Sequence, residues 1–177
     1  MKNLSISLLL STALFTGAFA SITDVDLERS LLVDVSGSVN LTDYNLMIEG
    51  YALAFENASI HDAIAAGAIG AVAINMLQFD EANSEVIPWS LLDSSTASNS
   101  FVTAIRNVIR AGSGIGGTGV AQGLDAAVAH FASSTYEAPW QVTDLSGDGS
   151  ENQVFTRRVQ CSPGFLFWSI RYPAARC

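Results

Sequence analysis

A short apolar strand that breaks off into alternating oxygen-bearing side chains constrains this chain more than any other feature. Residues 30 to 40 read SLLVDVSGSVN. The run Leu31 to Val35 is too short for a helix and lacks polar alternation, so it reads as a strand buried on both faces. It gives way to Asp34, Ser36 and Ser38, three oxygen donors at a spacing of two. A turn that caps the following helix accounts for such residues when they are taken alone. The other reading is a cation site, because hard divalent cations take several oxygens in compact geometry. One turn cannot fill six coordination positions. The further candidates are Thr118 in GGTG and Asp148 in SGDGSEN.

The rest of the chain reads as strands alternating with helices. After the DVSGS turn, Tyr44, Ile48, Tyr51 and Phe55 fall on one face of a helix, with Asn40 or Thr42 as its N-cap. SIHDAIAAG suggests a short helix stopped by Gly67, and IGAVAINMLQFD a second buried strand. DEANS then suits a hairpin loop into SEVIPWSLL, whose Pro88 predicts an edge strand or a bulge. Phe101, Ile105, Val108 and Ile109 predict one side of another helix. The glycine-rich GSGIGGTG leads into a helical VAQGLDAAVAHFASS, and APWQVTDLSGDGSEN repeats the opening pattern of strand into polar loop. This order predicts an α/β, Rossmann-like domain with a mainly parallel central sheet and helices on both faces. Ligands of such sheets sit beyond the carboxyl ends of the strands, where loops 34–40, 112–119 and 144–152 would meet.

Three segments follow. Residues 1–20 read as a secretory signal peptide: Lys2, an apolar run from Leu8 to Phe19, and an Ala18-Phe19-Ala20 cleavage site. Cleavage would leave no membrane span and place the mature protein in the periplasm or outside the cell. Residues 21–152 form the predicted domain. Residues 153–177 hold both cysteines, Cys161 and Cys177, and four basic residues, yet none of the 17 acidic ones. No clean period runs through them, and they read as a basic tail or, preferentially, as the product of a shifted reading frame. With 8 basic residues against 17 acidic, the chain repels phosphate backbones and anionic lipid, which argues against nucleic-acid and membrane partners.

Taken in order, DVSGS, GGTG at a loop-to-helix junction and the strand-end GDGSEN resemble the metal-ion-dependent adhesion site (MIDAS) of von Willebrand factor type A domains. VDVSGSV, EGYALAF, VIPWSLL and DLSGDGSEN look most like a bacterial exported group of unknown function within that superfamily. The resemblance implies that Ser36 and Ser38 ligate Mg²⁺ (or Mn²⁺ or Ca²⁺) directly, with Thr118 bound directly or through water. Asp34 and Asp148 would hold coordinated waters and balance the charge. It implies a non-enzymatic protein-binding module whose open coordination position takes an acidic side chain of a partner. A complete type A domain continues with at least one more core strand and a covering helix. Residues 153–177 do not read as that continuation, so the C-terminal strands and helix are expected to be missing.

Rival motifs fare less well. G-x-G-x-x-G occurs at Gly112, Gly114 and Gly117, but it follows a helix, and a dinucleotide fingerprint must follow a strand. Asp-x-Ser-Gly at Asp34 and Asp144 has one residue too many for an aspartic protease dyad. It leaves Asp148 as the site carboxylate and Asp144 as a loop-capping or sheet-end residue. No G-x-S-x-G nucleophile elbow is present. His61 and His130 read as solvated helix residues, and Trp89 and Trp140 as core packing. The alternatives to an adhesion module are a truncated remnant that binds nothing and a metal-assisted hydrolase, for which no general base is evident beyond the site carboxylates.

Overall fold

The computed structural model describes residues 21–112, 114–149 and 152, together with the backbone of a strand at Phe165–Ser169. The signal-peptide reading, the cysteines and the remainder of 153–177 lie outside these residues.

The LLVD run forms the centre of β2 (Leu27–Asp34), which follows a two-residue β1 (Thr23–Asp24). Five strands make the main sheet: β2, β3 (Val72–Phe79), β4 (Asn83–Leu92), β6 (Gln141–Ser146) and β7 (Phe165–Ser169), in the order β4-β3-β2-β6-β7. Strand β5 (Tyr136–Glu137) pairs with β1 in a separate parallel ladder. Among the described strands of the main sheet only β4 runs antiparallel, joined to β3 by the hairpin loop expected of DEANS. Its ladder shifts register between Ile74 and Leu77, opposite Pro88, so both the edge and the bulge expected of that proline are present.

Helices cover both faces, which is why β2 and β3 are apolar without alternation. On one face α1 (Leu41–Glu56) and α3 (Ser95–Arg106) pack Tyr44, Ile48, Phe55, Phe101 and Ile105 onto Leu31, Val33, Ile74 and Met76. On the other, α4 (Val120–Ala132) packs Ala127 and Phe131 onto Leu32, Leu77, Phe79 and Leu145. Gly123 lets α4 approach closely, since a Cβ there would lie 3.0 Å from the Phe79 ring. The short α2 (Ala58–Ala65) buries no residue. Of the two cap candidates, Asn40 is the N-cap of α1: its Oδ1 accepts from the amides of Thr42 (2.8 Å) and Asp43 (3.1 Å). No helix among the described residues is long and apolar enough to cross a membrane.

Three expectations need correction. Ile109 does not join the buried side of α3, because the helix ends at Arg106 and the chain turns away, leaving Ile109 exposed. Trp140 is also exposed; Trp89 alone packs inward, 5.4 Å from the Phe131 ring. The third concerns the segment after Asn152, which does supply a sheet strand. Phe165–Ser169 pairs in parallel with β6, from Gln141↔Phe165 to Leu145↔Ser169. Its sequence, FLFWS, is a brief run of strand formers, too short to show a period that could be read.

Candidate metal site

All five residues expected at the site lie at the carboxyl edge of the sheet, and their oxygens form a connected cluster. Asp34, the last residue of β2, is 1% exposed and accepts from the Ser36 amide through Oδ1 (2.8 Å). Ser36 and Ser38 hydroxyls are 3.2 Å apart. Thr118, just before α4, brings its Oγ1 to 3.0 Å from Ser36 Oγ. Ser38 Oγ donates to Asp148 Oδ1 at 2.8 Å. Residues separated by 82 and 110 positions are thereby brought into hydrogen-bond contact.

The donor set fits a hard divalent cation. It consists of three hydroxyls and two carboxylates, with no thiolate or imidazole. Asp34 Oδ2 is buried with no hydrogen-bond partner among the described residues, an arrangement that costs free energy unless something else satisfies it. Burial pushes the Asp34 carboxyl above its ordinary range; hydrogen bonds from Ser36 oppose this, and the Asp148 charge adds to it. Two carboxylates that repel each other across neutral hydroxyls favour a positive charge between them. The glycines keep the cradle open: a Cβ at Gly147 would lie 2.7 Å from Asp34 Oδ2, and one at Gly149 3.0 Å from Thr118 Oγ1.

Backbone and side-chain ties hold the three loops together. Gly37 N–H donates to the Gly116 carbonyl (2.8 Å), joining the first loop to the second. Positive φ at Gly112 (74°) and Gly114 (66°) gives the second loop its tight course. Gly119 N–H donates to the Asp80 carbonyl (3.0 Å) and Gly117 N–H to Glu81 Oε1 (2.9 Å), pinning that loop to the end of β3. Asn152 clamps Thr118 from both sides, accepting its amide through Oδ1 (2.7 Å) and donating to its carbonyl (3.1 Å).

Arg110 and Gln78 complete the support. One guanidinium nitrogen of Arg110 lies 2.8, 3.1 and 2.8 Å from the carbonyls of Val35, Ser36 and Val39, and the group sits 5.6 Å over the Tyr44 ring. Gln78 donates to the Tyr44 hydroxyl (2.8 Å) and accepts from the Ala111 amide. Arg110, Gln78 and Asn152 are absent from the residues singled out in the sequence. Arg110 alone carried a signal, being with Arg29 and Arg106 one of three basic residues between Ser21 and Asn152.

Asp144 lies inside β6 rather than capping a loop. It faces a groove of about 510 Å³ beneath α1, alongside Arg29 and Tyr51. The Tyr51 hydroxyl pairs with Ser146 Oγ at 2.7 Å. The histidines are partnered too: His61 Nε2 lies 2.7 Å from the Phe55 carbonyl, and His130 Nδ1 3.2 Å from Glu85.

A family model described as "Protein of unknown function (DUF1194)" matches residues 24–166. No curated protein matches the sequence. Among solved structures, proximal thread matrix protein 1 from the mussel byssus, with a zinc-occupied MIDAS motif, is 16% identical with a TM-score of 0.59. That match covers 83% of this chain and 38% of the mussel chain. The PilB minor pilin from Streptococcus sanguinis is 17% identical with a TM-score of 0.52, over 71% of this chain and 30% of the pilin. The chain thus spans less than two-fifths of either relative, and the likeness establishes the fold, a von Willebrand factor type A-like domain.

Proposed function

Because the chain belongs to the DUF1194 family and has a von Willebrand type A-like fold, we propose that it is an exported module that binds a protein partner through a divalent cation. Ser36 and Ser38 hold the cation through their hydroxyls, Thr118 binds it directly or through water, and Asp34 and Asp148 fix its waters and balance its charge. Mg²⁺ is the expected ion, with Mn²⁺ or Ca²⁺ as substitutes. When bound, the cation offers an open coordination position to an acidic side chain of the partner, and neutral hydroxyl ligands leave it enough positive charge to attract that group. The site acts by binding, without covalent chemistry. Export to the periplasm or beyond is supported by the signal-like residues 1–20.

The observation that carries this reading is the hydroxyl cluster around Asp34. The Ser36 hydroxyl lies 3.2 Å from that of Ser38 and 3.0 Å from that of Thr118, beside a buried Asp34 oxygen that has no hydrogen-bond partner among the described residues. Calorimetric titration of Mg²⁺ into the protein, with Ser36→Ala as control, tests it. A saturable signal that Ser36→Ala loses supports the site. A folded wild-type protein that takes up neither Mg²⁺, Mn²⁺ nor Ca²⁺ overturns it.

A further inference from the structure

The sheet face beneath α4 is interrupted by a block of polar side chains. Leu32 stands in register between Leu77 and Leu145, and all three belong to the apolar cluster under that helix. Two residues earlier on each strand, and so on the same face, Ser30 stands between Asn75 and Thr143. Glu28 lies two residues before Ser30, in register with Gln141. An apolar cluster of Val25, Ala71 and Ala73 borders the block on its far side, and Trp89 packs against both clusters. Side-chain contacts agree with this placement. Gln141 Nε2 donates to Glu28 Oε2 at 2.9 Å. Asn75 Nδ2 donates to Glu85 Oε1 at 3.3 Å, and that oxygen lies 3.2 Å from His130 of α4.

Glu28, Ser30, Asn75 and Thr143 are at most 1% exposed. Yet Glu28 Oε1, Ser30 Oγ, Asn75 Oδ1 and Thr143 Oγ1 have no hydrogen-bond partner among the described residues. Single orphaned oxygens are rare in protein interiors, and four gathered on adjacent strands about 4.8 Å apart point to a shared ligand. That ligand must also answer a charge. Glu28 forms no ion pair among the described residues. Arg29 lines the groove on the opposite face, Arg106 pairs with Glu49 and Glu56, and Arg110 holds the metal loop. An ionised carboxylate buried without a counter-charge is costly. Water satisfies hydrogen bonds but brings no charge. A donor set of oxygens alone, without nitrogen or sulfur, suits a hard cation, and one carboxylate balances one positive charge.

We propose that Glu28, Ser30, Asn75 and Thr143 hold an alkali cation, Na⁺ or K⁺, in the interior beneath α4. The site is separate from the carboxyl-edge cluster and does not depend on it. Its ligands come from β2, β3 and β6, so the ion ties the three parallel strands together and stabilises only the assembled sheet.

Urea unfolding of the full chain in NaCl, KCl or choline chloride at equal ionic strength tests this, with EDTA present to keep divalent ions away. In NaCl or KCl the folding equilibrium constant should rise about tenfold for each tenfold rise in the ion above its Kd. Choline, too bulky to enter, should give no such rise. Thr143→Val keeps the side chain's shape and should lose most of the dependence, and Ser30→Ala likewise. Both variants should take up Mg²⁺ as the wild type does. Equal stability of the wild type in the three salts overturns the proposal. So does an unaltered salt dependence in either folded variant, which would mark the cavity as holding water. Where neither variant folds, the wild-type comparison decides.

Discussion

Replacing Arg110 by alanine removes the one side chain that ties three carbonyls of the metal loop together. A single guanidinium nitrogen reaches Val35, Ser36 and Val39 at 2.8, 3.1 and 2.8 Å, and its two hydrogens can satisfy at most two of these acceptors well. A hydrogen bond from a charged donor contributes about 1.5–3 kcal/mol, so the pair amounts to roughly 3–6 kcal/mol. Stacking over Tyr44 adds about 0.5–1 kcal/mol. Water reaches part of the side chain and can replace some of what is lost, so the expected cost lies near the lower end, about 3 kcal/mol. Set against a typical stability of roughly 5–15 kcal/mol, that is a large fraction. Urea unfolding should show the midpoint falling by about 1–2 M with an unchanged slope. Arg110→Lys should recover less than half, because the shorter side chain stops its ammonium one bond short of the three carbonyls and lacks the flat face that stacks over Tyr44. A loss below about 1 kcal/mol for Arg110→Ala, or full recovery by lysine, would refute the view that this group staples the loop.

Gly147→Ala should cost about 1–3 kcal/mol and weaken Mg²⁺ uptake, because its methyl would lie 2.7–2.8 Å from the buried Asp34 side chain. Gly50→Ala, with nothing within 4 Å of the added Cβ, should instead stabilise α1 by about 0.5–1 kcal/mol in the same unfolding assay. The Asp26 carboxylate accepts from the amides of Ile69, Gly70 and Ala71 at 2.8–3.3 Å, and the Ile69 bond foremost holds its pKa below the usual value. Its stabilising effect is therefore present above pH of about 4 and lost as pH falls through the lowered folded pKa. The gap in urea midpoint between wild type and Asp26→Asn should shrink from pH 7 to pH 2.5, and a constant gap would contradict this. Asp144 has the opposite sign, since burial raises its pKa against the opposing pull of Arg29. The charged form is penalised in the fold, so stability from this group is lost as pH rises through the folded value, and Asp144→Asn should gain relative to wild type between pH 4 and pH 7. Saturation with Mg²⁺ at a hundred times its Kd should raise unfolding free energy by about 2.7 kcal/mol, reversed by chelator and absent in Ser36→Ala.

The central sheet was legible because burial on both faces writes itself as unbroken apolar runs, seen in LLVDV and VAINMLQF. The helices were legible from their 3.6-residue spacing, but not where they stop. Ile109 continues the period of α3 on paper, yet the chain leaves the helix three residues earlier to deliver Arg110 to the loops. Strand β7 escaped notice for a related reason, because FLFWS is only five residues long and shows no alternation to read. At the site, Asp34, Ser36 and Ser38 could be found from local spacing alone. Thr118 and Asp148 needed the order of motifs along the chain. Asn152 and Gln78 could not be found either way: their roles arise from which loops meet, and an amide side chain carries no local pattern that announces a distant backbone partner.

The pairing of Ser36 with Thr118 and of Ser38 with Asp148 has a consequence for synthesis of the chain. A nascent polypeptide exposes DVSGS early, but nothing resembling a complete set of ligands exists until Asp148 has emerged and β2, β3 and β6 have aligned. Half-made or misregistered chains therefore offer a cation only scattered oxygens. An ion that binds at this edge rewards completion alone, and the concentration of that ion in the surroundings sets how strongly finished molecules are favoured over unfinished ones.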